Sequence, residues 1–351
     1  MEQFDLQKII RENILKLVPY SSARSEFKAD AQVFLDANEN SMASAWNEYS
    51  RYPDPLQMKL KERISELKGI DTKNIFLGNG SDEPIDLLIR ATCRPEVDNI
   101  IAISPSYGMY KVAADINDVK VKEVLLDDAY QPIVANVLEA ADTNSKLLFL
   151  CSPNNPTGNS IEPAIIEELA NSFEGIVIID EAYIDFADIS SSWINKIADY
   201  PNVVVLQTFS KAWGLAALRM GMAFASEDII AILNKIKAPY NISLPAQQLA
   251  LAALQDTVVV ANAVNVIKAQ REQLINSLLQ YSFVQKVHPS DANFILTEVN
   301  DANALYKYLL TRKIVVRNRT NVPLCGNCLR ITVGTPEENQ FLLQALNEYT
   351  A

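Results

Sequence analysis

Histidine is almost absent from this chain: among 351 residues there is one, His288. That excludes a histidine-rich metal centre, and any Ser-His-Asp triad would have to be built on the segment VHPSDAN. The segment has the composition of a turn, so His288 reads as a surface or loop residue. Acid–base chemistry is then expected from another side chain. Cysteine is nearly as sparse. Cys93, Cys151, Cys325 and Cys328 are too few for a disulfide framework and point to a reducing cytoplasm. Cys325 and Cys328 form a single C-x-x-C, which cannot complete a tetrahedral zinc site alone, so no metal is expected. Long apolar runs are missing too. The opening MEQFDLQKIIRENILKLVPY alternates charged and apolar residues at helical spacing, without the core of a secretory signal. No stretch has the length needed to span a bilayer. Basic residues are outnumbered, 31 Lys and Arg against 43 Asp and Glu, for a formal net charge of −12. That balance argues against nucleic acid or an anionic membrane as partner, but a local cluster of arginines and backbone N–H groups can still hold a small anion.

What remains is an ordinary globular composition, 49% hydrophobic and 21% charged. Apolar runs bounded by turn residues occur at 75–77, 100–103, 119–125, 146–151, 175–179 and 203–207, with helical patterns such as 83–91 and 163–172 between them. Continuous apolar strands separated by helices indicate an α/β fold with a mostly parallel sheet covered on both faces. Past Ser226 the texture changes to long helical patterns, 227–237 and 245–279. An α+β tail follows, with strands near 294–297, 314–317 and 329–333 and a last helix from Pro336. The expected organisation is an N-terminal arm sharing the small domain (1–45), a large domain (46–257) and a small C-terminal domain (258–351).

Ligands of parallel α/β sheets bind where strands end, and four strand ends here carry unusual polar residues. In FLGNGSDEP (76–84) a strand runs into Gly-Asn-Gly, and Ser81 is placed to cap the next helix, so free N–H groups would face one spot and suit a phosphate. Taken alone, a plain turn explains it better, and the third glycine of a dinucleotide fingerprint is missing. CSPNNPTGNS (151–160) is a tight turn at a sheet edge. In GIVIIDEAYIDF (175–186), Asp180 closes an apolar strand, where an unpaired carboxylate is costly. It needs a cation or an opening, and Tyr183 could face the same pocket. In VVVLQTFSKAWGLAALRMG (203–221) the strand ends in Thr208, Ser210 and Lys211, with Arg219 further on. A lysine there is usually a surface cation. Boxed by Phe209, Ala212 and Trp213, it would be desolvated and more nucleophilic.

In this order and spacing the segments resemble the class I and II aminotransferases, which are fold-type I pyridoxal-phosphate enzymes, from about Pro53 to Gly334. The resemblance implies pyridoxal 5′-phosphate held by Lys211 as a Schiff base, with Lys211 also carrying the catalytic proton. Asp180 would pair with the pyridine nitrogen, Asn155 and Tyr183 would bond the ring's phenolic oxygen, and Tyr107 would stack on the ring. Ser81, Asp82, Thr208, Ser210 and Arg219 would hold the cofactor phosphate. Arg330 would bind a substrate carboxylate.

Further segments, LVPYSSARSE (17–26), LDANEN (35–40), RYPDP (51–55), APYNIS (238–243), VVRNR (315–319) and LRITVGT (329–335), are similar to those of the histidinol-phosphate aminotransferases. Ser41 and Ala217 depart from that pattern, where proline and glycine are usual. The implied substrates are histidinol phosphate and glutamate or 2-oxoglutarate, with Tyr20, Asn241, Arg317 and Arg330 meeting the substrate phosphate. Tyr52 would reach the cofactor of a neighbouring subunit, making a homodimer. Threonine-phosphate decarboxylases and aromatic aminotransferases resemble the same segments and stand as rivals. A non-catalytic relative with a DNA-binding arm is disfavoured, because the 50 residues before Arg51 show no basic excess.

Overall fold

The structure, a computed structural model, describes residues 4–20, 32–42 and 47–349. The part of LVPYSSARSE beyond Tyr20 lies outside them. Seven strands, β1 (Ile75–Asn79), β2 (Asn99–Ser104), β3 (Lys120–Leu125), β4 (Ser145–Cys151), β5 (Ile176–Asp180), β6 (Val203–Thr208) and β7 (Met220–Phe224), form one sheet in the order β1-β7-β6-β5-β4-β2-β3. The pairs from β3 across to β6 are parallel, whereas β7 runs antiparallel to both of its neighbours.

Helices cover both faces because the central strands are apolar on both. Leu148, Leu150, Val177, Ile179, Val203 and Val205 face one side, against α1 (Met58–Lys68), α4 (Val134–Ala140) and α5 (Pro163–Ser172). Their alternates Leu147, Phe149, Ile176, Ile178, Val204 and Leu206 face α2 (Asp82–Thr92), α3 (Met109–Ile116) and α6 (Glu227–Ile236) on the other. Each such side chain, fully buried, contributes about 1.5–3 kcal/mol of transfer free energy. The first described residues also lie on this second layer: Phe4, Leu6 and Ile9 pack against it, and the Arg11 N–H donates to the Ala91 carbonyl. This stretch of the arm therefore sits with the large sheet rather than with the smaller unit.

A second sheet, order β10-β11-β9-β8, is antiparallel throughout: β8 (Val284–Val287), β9 (Phe294–Val299), β10 (Arg317–Asn318) and β11 (Cys328–Thr332). It packs with α8 (Thr257–Leu278), α9 (Ala302–Thr311) and α10 (Pro336–Asn347) around its own core, including Leu274, Ile295, Leu305, Leu329 and Leu342.

Five features depart from the sequence expectation, one of them the strand β8 at Val284–Val287, which is not among the expected tail strands. The helix expected over 245–279 is two, α7 (Leu244–Ala253) and α8, bent by 75°. Asp256 starts the second by accepting the Val259 N–H, and Arg63 donates twice to the Leu254 carbonyl left at the break. β7 was not expected, since five residues of MGMAF carry little periodic signal. The strand expected over 314–317 is paired only at Arg317–Asn318, and Val315 is 79% exposed. His288 is no surface residue: it is 6% exposed, with its ring 5.1 Å from that of Tyr130. Among the described residues no single helix is long and apolar enough to cross a membrane.

Burial pushes His288 down to about 4. A histidine depressed in the folded state binds its proton more readily when unfolded, so it costs stability as pH falls from about 6.5 to about 4, by up to about 3 kcal/mol. Denaturant melts of wild type and His288→Asn should differ by a constant above pH 7. Below pH 6.5 the difference should drift in favour of the variant; a pH-independent difference would refute this.

Candidate active site

The parallel strands all end on one edge of the sheet, and the antiparallel β7 begins there, so chain segments far apart in sequence meet at that edge. They line a pocket open to solvent, about 490 Å³ of empty space with its open mouth included, formed by Gly80, Ser81, Asp82, Tyr107, Cys151, Asn155, Asp180, Ala182, Tyr183, Thr208, Ser210, Lys211 and Arg219.

Asp180 is its anionic floor. The carboxyl is 2% exposed, accepts the Tyr110 hydroxyl on Oδ2 at 2.7 Å and accepts the Ala182 N–H on Oδ1 at 3.1 Å. Burial pushes it up to about 6, against the lowering effect of the Tyr110 bond. Lys211 stands on the turn after β6, its Nζ 5.5 Å from the centre of the Tyr183 ring. Partial burial, then the charge of Arg330, lowers its proton affinity; Lys211 remains open on one side, which limits the effect. Of the residues expected to box it in, Phe209 is buried in the large core. The partly buried Trp213 meets Phe209 edge-on at 5.6 Å and also packs with Ala212 and Tyr183; the Tyr183 ring lies beside the ammonium.

At the other end of the cavity, α2 points its N-terminus inward. Ser81 does not cap it: its side chain makes no capping bond, and Glu83 folds back instead to accept the Asn79 N–H at 2.5 Å. Arg219 reaches over from the start of β7, with Nη2 3.3 Å from Asp82 Oδ2. An 11-residue helix N-terminus beside a guanidinium makes a phosphate-sized anion site. Thr208 shapes the turn beneath, donating to the Met220 carbonyl at 3.3 Å and accepting the Ser210 N–H at 3.1 Å. Tyr107 crosses the mouth and donates to Asp82 Oδ1 at 3.1 Å.

Arg330 comes from β11. It donates to Asn155 Oδ1, and its guanidinium lies 5.2 Å from the Phe294 ring centre. Arg317 is opposite Arg330 on the β10–β11 ladder. Five expected residues do not line the cavity: Arg330 reaches it only through Asn155, Arg317 is exposed, and Tyr20, Asn241 and Tyr52 lie elsewhere. Tyr20 is 73% exposed at the end of the first described stretch. Asn241 donates to the Leu77 carbonyl at 2.9 Å and to Glu83 at 3.1 Å, which ties it to β1. Tyr52 stacks on Tyr240 at 4.5 Å in an adjacent depression that Asn241 also lines.

Residues 20–346 match the family described as aminotransferase class I and II. The chain belongs to that family. A histidinol-phosphate aminotransferase of Parabacteroides distasonis is 53% identical over 343 residues, 97% of this chain and 98% of that one. The crystal structure of the histidinol-phosphate aminotransferase from Clostridium acetobutylicum superposes with a TM-score of 0.79 at 27% identity, covering 87% of this chain and 92% of that one. That of the Sinorhizobium meliloti histidinol-phosphate aminotransferase in complex with pyridoxal-5′-phosphate gives 0.79 at 23% identity, over 89% of each chain, a likeness of fold.

The aminotransferase pocket also contains residues that sequence reasoning passed over. Tyr110, 1% exposed on α3, orients Asp180, and its ring meets that of Tyr107 edge-on at 5.5 Å. Cys151 is the register partner of Asp180 across β4–β5, with its thiol pushed up by burial. Gly221 has no room for a side chain: a Cβ there would sit 2.3 Å from the Ser81 nitrogen. Among the described residues no group of three or more His, Cys, Asp or Glu could hold a metal ion, and Cys325 and Cys328 are buried free thiols.

Two outcomes follow. Removing the Tyr110 hydroxyl takes away a bond that lowers the Asp180 pKa. In Tyr110→Phe the acid limb of the pH–rate profile should therefore move to higher pH, with KM for the amino donor little changed; an unmoved limb would exclude the coupling. Gly221→Ala should push the Gly80–Ser81 turn out of place and weaken cofactor binding by roughly tenfold or more, read by fluorescence titration.

Proposed function

We propose that this aminotransferase is a histidinol-phosphate aminotransferase that works through pyridoxal 5′-phosphate. It moves an amino group between L-histidinol phosphate and 2-oxoglutarate, giving imidazole acetol phosphate and L-glutamate, a step of histidine biosynthesis. One observation carries the reading: an amine, Lys211, and a buried carboxylate, Asp180, share a pocket with anion-binding groups beyond both ends. Identity of about half over nearly the whole chain to relatives of that name supports the substrate.

The residues fit the cofactor. The buried Asp180 carboxylate has two hydrogen-bond donors but no cation in ion-pairing range among the described residues, which suits a protonated pyridine nitrogen. The α2 N-terminus with Ser81, Ser210 and Arg219 suits its phosphate. When bound, pyridoxal phosphate supplies a reactive carbonyl carbon and an electron-withdrawing ring. Asp180 holds the proton at the ring nitrogen. Asn155 and Tyr183 would donate toward the phenolic oxygen, and Tyr107 would cover the ring. Lys211 Nζ, with its proton affinity lowered, takes the proton from the substrate's α-carbon and returns it. Arg330 meets the substrate's anionic group with parallel hydrogen bonds, either phosphate or carboxylate. Tyr20, Asn241 and Arg317 complete the assignment to the substrate phosphate, although Asn241 would first have to exchange its bonds to Leu77 and Glu83.

The active assembly is read as a homodimer. Leu35 is 90% exposed, Met42 92% and Val18 85%, apolar side chains of one arm that a partner would cover. Tyr52, outside its own chain's cavity and 49% exposed, is then available to the neighbouring one. In the division into 1–45, 46–257 and 258–351, the separate core of the small sheet supports the last unit, whereas Phe4, Leu6 and Ile9 of the first pack on the large sheet.

Holoenzyme should show a visible absorbance band that borohydride bleaches, and Lys211→Ala should retain no borohydride-fixed cofactor. Glutamate-dependent turnover of histidinol phosphate is the expected activity. Release of carbon dioxide from threonine phosphate without amino transfer would overturn the assignment.

A further inference from the structure

Beyond Arg330 and Arg317 lies a third arginine to which no role has been given. The Arg319 N–H donates to the Cys328 carbonyl at 2.8 Å, one step along the ladder that pairs Arg317 with Arg330 and Asn318 with Leu329. Alternation along the strand puts Arg317 and Arg319 on one face of β10, the face matched by Arg330 on β11. Arg330 fixes where that face looks, because its guanidinium bonds Asn155 in the catalytic pocket.

Three guanidiniums on one face repel one another, and folded proteins normally offset such a cluster with carboxylates. Here none is at hand: among the described residues no ion pair joins a carboxylate to Arg317, Arg319 or Arg330. The Nε of Arg319 is buried with no hydrogen-bond partner, an unmet donor that costs free energy unless a ligand meets it. Burial, then the charges of Arg330 and Arg317, push this guanidinium down to about 10. Such a cluster is stabilised by an incoming anion, and more by a doubly charged one.

The two half-reactions offer different anions. A phosphate monoester carries about −1.5 to −2 charges at neutral pH, and a carboxylate carries one. One guanidinium fork satisfies a carboxylate, so two arginines are ample for glutamate. A third contributes chiefly when the ligand has a further charge and a third oxygen. We propose that Arg319 is a third guanidinium of the substrate-anion site and sets its preference for a phosphate over a carboxylate. The inference rests on the histidinol-phosphate reading above.

The test compares wild type, Arg319→Gln and Arg319→Lys as holoenzymes in single-turnover half-reactions followed by the cofactor's absorbance. Arg319→Gln should weaken histidinol phosphate binding by about tenfold or more and glutamate binding by less than about threefold, with the rate at saturation little changed. Arg319→Lys, which keeps the charge, should recover part of the loss. Inhibition of the glutamate half-reaction by inorganic phosphate should weaken in step with histidinol phosphate binding. Equal losses for both substrates, or none for either, would overturn the proposal. If wild type fails to turn over histidinol phosphate, the preceding assignment falls. Phosphate inhibition of the glutamate half-reaction then judges Arg319 by itself: weaker inhibition in Arg319→Gln supports it, unchanged inhibition sinks it.

Discussion

The pocket depends on keeping one carboxylate charged where water barely reaches. Asp180 closes β5, a strand buried along its whole length, and burial alone would favour its neutral form. Two donors hold it toward the charged form, the Tyr110 hydroxyl and the Ala182 N–H, and neither is a cation. The strongest remaining compensation is a positive ligand group in the cavity. The sheet serves that end: β4 and β6 on either side hold the strand rigid, and α3 carries Tyr110 across to the carboxyl.

Charge around this centre is divided between the two sheets. The large sheet supplies the acids Asp180 and Asp82, the phosphate-type site at the head of α2, and Lys211. The small sheet contributes Arg330, Arg317 and Arg319 with no acid bonded to them among the described residues. A chain with a net charge of −12 thus presents a locally cationic wall. A single ligand with an anionic group at each end and a cationic ring nitrogen between them answers both walls. Binding of that kind draws on desolvated, charge-assisted hydrogen bonds, which are stronger than neutral ones.

Much of this was legible in the sequence because each piece is local. A strand-final Asp, the Asn-Asn-Pro-Thr-Gly turn, Ser-Lys after an apolar run and Leu-Arg-Ile-Thr near the end are each set within a few residues, and all of them reached the site. Less was legible where tertiary contacts overrode local signal. Ser81 reads as a helix cap, but Glu83 folds back on the loop and leaves its hydroxyl uncommitted to the helix. Phe209 precedes Lys211 in sequence by two, yet the turn buries its ring in the large core.

The sequence by itself determined the α/β class and placed Asp180 and Lys211 at the ends of apolar strands, because burial period and strand-end chemistry are properties of short segments. Only the tertiary structure decided that β7 slots antiparallel between β1 and β6, that His288 is buried, and that Tyr110 holds Asp180. The same is true of the three arginines without carboxylate partners. These are contacts between residues tens to hundreds of positions apart, and their energy depends on distance and dielectric, which no local pattern records.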